Sequence, residues 1–262
     1  MKLKFKLLLV TLTFGIGIFF NSCSNEEKNS NSNFKDLSEV NKFASIHSKG
    51  LEHNLKAFQK KLKTSRGSFM KANQIDTLAI VNFYINETRE FIEDEPLSFN
   101  NTILGVNYLV PVNDLSKIKI AENLETPEEI LTPSQKVNYY YSRISQLIEN
   151  NESNIGQFNY SLNSLYNETL NDNITAEDRL TIDLMFGVAN DSYTYWNNNQ
   201  NLFSKTGKAK IKGTTILADI KGAVDGALWG SVGGPFCSAL MAINFGIIGS
   251  SVAHTLSTAL NH

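Results

Sequence analysis

The chain has 262 residues, of which 42% are apolar and 19% charged, and a formal net charge of -2. That balance suits a folded body rather than a disordered chain, and the lack of a basic excess argues against nucleic acid as a partner. Cysteine occurs only at Cys23 and Cys237, too few for a disulfide-built scaffold.

The chain opens on a basic stretch, Met1-Lys2-Leu3-Lys4-Phe5-Lys6, followed by an apolar run from Leu7 to Phe20 and then Asn21-Ser22-Cys23. Charge, a short apolar core and small residues at its exit predict a secretory signal peptide over 1–22. The run falls short of the roughly 20 residues that a permanent span needs. Cys23 stands where a signal peptidase would cut, ahead of a polar tether over 23–33. This resembles the lipobox of exported lipoproteins, in which the cysteine thiol carries a diacylglycerol. Phe20 replaces the usual leucine and Ser22 the commoner glycine or alanine; such relaxed boxes are similar to those of the Bacteroidota. The resemblance implies acylation of Cys23, since several acyl chains give stable membrane binding where one does not. It also implies an outer-membrane location, facing either the periplasm or the cell surface.

A helical domain is expected over 34–200, making the fold all-α. Phe34, Leu37, Val40, Phe43, Ile46, Leu51, Leu55, Phe58 and Leu62 recur every three or four residues, which predicts an amphipathic helix or a helical pair broken near Gly50. The dense lysines between Lys49 and Lys71 fall on its solvated side. A loop around Gly67 leads to a helix from about Gln74 to Glu93, with Leu78, Val81, Ile85 and Ile92 inward. Residues 97–124 read as irregular. Thr126-Pro127-Glu128-Glu129 and Thr132-Pro133-Ser134-Gln135 each offer a threonine cap with proline at the first helical position. Further helices are expected over about Ser153 to Leu170 and from Thr175 to the Asn197-Asn198-Asn199 cluster, followed by a linker over 201–213.

The tail, 214–262, changes character. Gly222, Gly226, Gly230 and Gly234 fall at intervals of four, and the small residues continue through Ser238, Ala242 and Gly246. Glycine in a helix costs about 1 kcal/mol against alanine, and its return here is close helix–helix packing. The segment resembles the glycine zippers of some small outer-membrane lipoproteins and membrane-active toxins. Pro235, preceded by Gly233-Gly234, divides it into two helices, about Thr214 to Val232 and Pro235 to Leu260, folded back as a hairpin. Asp219, Lys221 and Asp225 in the first helix oppose insertion, at about 2.5–3.5 kcal/mol each at a bilayer centre, although Lys221 and Asp225 can pair. Pro235 to Ala253 is free of charge and on the order of 28 Å long as a helix, enough to cross a bilayer. The hairpin therefore either packs on its own domain or another copy, or enters a membrane. Cys237, among Phe236, Ala239 and Leu240, reads as a small buried apolar residue.

His47, His53, His254 and His262 fall in no metal-ligand spacing. The chain also lacks a nucleophile elbow, a phosphate loop and a dinucleotide fingerprint. No catalytic residue, cofactor or metal is therefore expected. Tyr139-Tyr140-Tyr141 and Tyr193, Tyr195 and Trp196 suit either a sugar-stacking surface or an aromatic core. The expected function is that of a non-enzymatic envelope lipoprotein with a structural or interaction role. The alternative is a membrane-active protein working through its glycine-rich hairpin.

Overall fold

A computed structural model describes residues 37–65, 69–71, 74–94, 132–151, 154–199, 213–231 and 235–259. Cys23, the tether, the irregular segment, the Thr126 helix start and the Gly233-Gly234 turn lie outside the described residues. So does the side chain of Cys237.

The fold is all-α. The described helices are α1 (Leu37–Ser65), α2 (Thr77–Asp94), α3 (Gln135–Asn150), α4 (Ile155–Leu170), α5 (Ala176–Asn198), α6 (Gly213–Gly230) and α7 (Pro235–Ala259). Two strands of two residues each, β1 (Met70–Lys71) and β2 (Gln74–Ile75), pair antiparallel between α1 and α2. Short polar side chains start the helices by accepting from otherwise orphaned amides. Ser134 accepts from the Val137 amide, Asn154 from Gln157 and Thr175 from Asp178. At α2, Asp76 accepts from the Ala79 amide at 3.1 Å.

These caps correct several sequence expectations. Helix α3 starts at Gln135 on Ser134 rather than on Thr132, because the serine oxygen is the one aimed at the third amide. Helix α2 starts at Thr77, since Gln74 and Ile75 are drawn into the ladder with Met70 and Lys71. Its inward face holds Ile80, Val81, Tyr84, Ile85, Phe91 and Ile92, while Leu78 in the first turn stands 49% exposed. Helix α1 runs unbroken through Gly50. That glycine serves packing instead: a Cβ there would lie 2.3 Å from Ile247 Cδ1 of α7. Gly213, expected at the end of the linker, is the first residue of α6.

Helix α7 runs through the middle of the molecule. Leu240, Ile243 and Ile247 belong to the larger core, shared with α1–α6, whereas Ile248 and Val252 belong to a smaller one built on Phe58, Phe69 and Tyr84. Contacts between α1 and α7 advance together along both chains: His47 with Gly246, Gly50 with Ile247, Asn54 with Ser251. The two helices therefore run parallel. The aromatic cluster of α5 is core: Tyr193 stacks on Phe158 with ring centroids 3.8 Å apart, and Trp196 is fully enclosed.

Candidate functional site

The small residues of the tail form a seam between α6 and α7. A Cβ at Gly222 would lie 2.4 Å from the Phe245 carbonyl oxygen, and one at Gly226 2.2 Å from that of Met241. Backbone meets backbone at both points, so neither position has room for a side chain. One turn earlier on α6, Ala218 meets the opposite side: a Cβ at Gly249 would lie 3.0 Å from the Ala218 carbonyl oxygen. Each step of four along α6 is matched by a step of four backward along α7, so the helices are antiparallel. Ala242 and Gly246 lie at the same contacts, beside Gly226 and Gly222 respectively. Gly230 and Ser238 are buried, and Gly234 is outside the described residues.

Gly246 has a second role that spacing alone did not reveal. A Cβ there would come 3.0 Å from Cδ2 of His47, so its bareness makes room for an imidazole. His47 of α1 sits between two carboxylates. Its Nδ1 is 3.0 Å from Asp191 Oδ2 of α5, and its Nε2 is 3.4 Å from Asp219 Oδ1 of α6. The first contact is a hydrogen bond; the second is an ion pair whose atoms are not aligned for one. Ser48 donates to Asp191 at 2.5 Å, while Ser192 and Trp196 Nε1 both donate to the other oxygen of Asp219. One ring thus ties α1 to α5 and α6, over a gap left by α7.

Both His47 and Asp219 are 0% exposed. Burial alone would pull the His47 ring down, and it is the largest single influence. Asp219 and Asp191 together overcome it and push the ring up to about 9. Burial likewise pushes the Asp219 carboxyl above its ordinary range, against the pull of His47, Ser192 and Trp196. The arrangement suits an imidazolium, the form in which both ring nitrogens carry protons, hydrogen-bonded to Asp191 and paired by charge with Asp219. Isolated, any of these charges would be strongly disfavoured at such depth. Chemically the cluster can hold a proton and hold helices, and its enclosure keeps a substrate from the ring. Sequence reasoning missed it because Asp191 is 144 positions from His47; no local spacing encodes the pairing.

A second polar group lies between α1, α2 and α7. Asn54 Nδ2 donates to Thr88 Oγ1 at 2.8 Å and to Ser251 Oγ at 3.3 Å, and the Tyr84 and Thr255 hydroxyls bond at 2.6 Å. His254 stacks on Trp196, and burial pulls its ring down to about 4. Lys221 pairs with Asp225 along the outer side of α6.

A groove of about 570 Å³ opens between the start of α3 and the end of α4, lined by Gln135, Tyr139, Glu168 and Asn171 among others. Its floor is fixed by Lys136, 2.7 Å from Asp172 Oδ1, and by the Tyr140 hydroxyl, 2.9 Å from Asp172 Oδ2. Lys136 and Tyr140 hold the Asp172 carboxyl below the usual range. Among the described residues no group of three or more His, Cys, Asp or Glu side chains is placed to hold a metal ion.

No protein-family model, curated protein or solved structure matches the chain.

Proposed function

We propose that the chain is a lipid-anchored protein of the cell envelope whose helical body works by interaction rather than catalysis. The observation that carries this reading is the burial of α7. Ser238–Leu256 is apolar enough to cross a membrane, with a mean hydropathy of 1.4, yet 78% of it is buried inside the protein. A helix already covered on most sides by α1, α2, α5 and α6 gains little from lipid. Attachment then falls to the acylated Cys23, placing the protein at the outer membrane on its periplasmic or exterior side. His47 and Asp219 are closed off from solvent and Asp191 is 14% exposed, which supports a structural role for the cluster. The test is the mass of the protein extracted from membranes, expected to begin at an acylated Cys23. The form lacking residues 1–22 and the lipid should migrate as a defined particle without detergent. An unacylated N-terminus, or a need for detergent in that form, would overturn the reading.

The length and hydropathy of α7 favour one second reading, a membrane-active protein whose α6–α7 pair leaves the body and inserts. It requires breaking the His47–Asp219 contact and parting α7 from α1 at Gly50–Ile247 and Asn54–Ser251. Dye release from liposomes separates the two: the anchored body leaves vesicles intact, whereas an inserting pair makes them leak.

A further inference from the structure

The surface around α3 and α4 is unlike that of α1. Exposed positions of α1 carry charge, including Glu52, Lys56, Lys60 and Lys63, whereas the only charged residue of α4 is Glu168. Tyr160, Ser164, Asn167 and Asn171 are exposed at steps of three or four, so they share one helical face. That face is about 16 Å long at the helical rise and ends at the groove between α3 and α4, its one flanking charge being Glu168, four residues after Ser164. Four large apolar side chains stand exposed among the described residues, and three lie on these two helices: Tyr160 at 74%, Tyr139 at 47% and Leu170 at 45%. The groove's charges are spent on each other. Lys136 pairs with Asp172, and Arg143, 3.5 Å from Glu168, also donates to the Tyr139 hydroxyl at 2.6 Å.

Exposed rings, amides and hydroxyls, with charge neutralised in place, define the ligand's chemistry. An ionic ligand would have to displace a bound partner, and a purely apolar one would strand the amides. A sugar chain fits, because its C–H faces can lie on tyrosine rings while its hydroxyls meet amide donors and acceptors. We propose that the α4 face and the α3–α4 groove form a binding site for a neutral polysaccharide. Tyr160 and Tyr139 are its stacking platforms, and Asn167 and Asn171 its hydrogen-bonding groups. This goes beyond an interaction role in general by naming the partner, and it depends on neither the lipid nor the glycine seam.

Affinity electrophoresis of the purified protein through gels holding dextran, laminarin, mannan or xylan, with heparin as an anionic comparison, tests the proposal. At least one neutral polysaccharide should retard the protein, and salt should change the retardation little, since ionic contacts are not involved. Tyr139→Ala with Tyr160→Ala should weaken it at least tenfold, and Tyr160→Ala alone, whose ring is 74% exposed, should weaken it while leaving the melting temperature in place. Glu90→Gln on α2 should leave it unchanged. Absence of retardation by all four neutral polymers, retardation by heparin alone, or retardation indifferent to the two tyrosines would overturn the proposal.

Discussion

Nε2 of His47 lies 3.4 Å from Oδ1 of Asp219, and both side chains are closed off from solvent. The contact links the first described helix to the glycine-lined pair near the end of the chain. Removing one member of such a pair costs about 3–5 kcal/mol, because the other is left charged and buried. His47→Leu is expected to lower unfolding free energy by about that amount in urea titrations. The double variant His47→Leu, Asp219→Leu should recover part of the loss, as a buried pair replaced by apolar groups often does. Additive losses would show that the two residues act independently.

The same cluster sets a pH dependence. With its folded-state value raised from 6.5 to about 9, His47 contributes stability that is complete below the unfolded value and is lost as pH rises through 9. The Tyr195 phenol, raised chiefly by burial and further by Glu52, Asp219 and Asp191, acts in the same direction above 10, whereas Asp219, also raised, loses its contribution as pH rises above 3.8 and so offsets part of the acid-side change. His254 works oppositely. Lowered to about 4 by burial, it contributes stability present above 6.5 and lost as pH falls through 4. Thermal melting across pH should therefore peak near neutrality and fall on both sides. His47→Leu should flatten the alkaline side, and His254→Gln the acid side.

Glycine substitutions separate backbone contact from side-chain contact. At Gly226 and Gly222 a methyl group would meet a carbonyl oxygen of α7, which cannot move without shifting the helix. Each alanine should therefore cost more than the roughly 1–3 kcal/mol of ordinary overpacking. Gly50→Ala meets mainly the end of the Ile247 side chain, which can rotate, and should cost less. Gly156→Ala, whose nearest contact is Asn154 Oδ1 at 3.7 Å, should be neutral or stabilise by about 0.5–1 kcal/mol. Chemical denaturation of the four variants gives the order, and equal effects at Gly226 and Gly156 would contradict the seam.

The helices were legible in the sequence because their signals are local. Val137, Tyr140, Ile144 and Ile148 repeat at helical spacing, and Thr175 caps α5 where its type and position predict. Errors arose where a local signal had two physical uses. Gly50 reads as a break, but its missing side chain admits Ile247. Leu78 matches the inward pattern of α2, yet the first turn carries it away from the core. The ionic cluster was not legible at all, since His47, Asp191 and Asp219 come together only through the packing of three distant helices. Tyr139 and Tyr140 show the same limit: they are neighbours in sequence, yet one is half exposed and the other buried.

The central claim is that lipid on Cys23, and not α7, holds the protein to its membrane. Fractionating cells that export residues 24–262 behind a signal peptide cleaved without a lipid-modified cysteine tests it most directly. The account predicts that the variant leaves the membrane and appears, folded, in the soluble fraction after the envelope is opened. Retention of the variant in membranes washed with alkaline carbonate would contradict it and place a polypeptide segment in the bilayer.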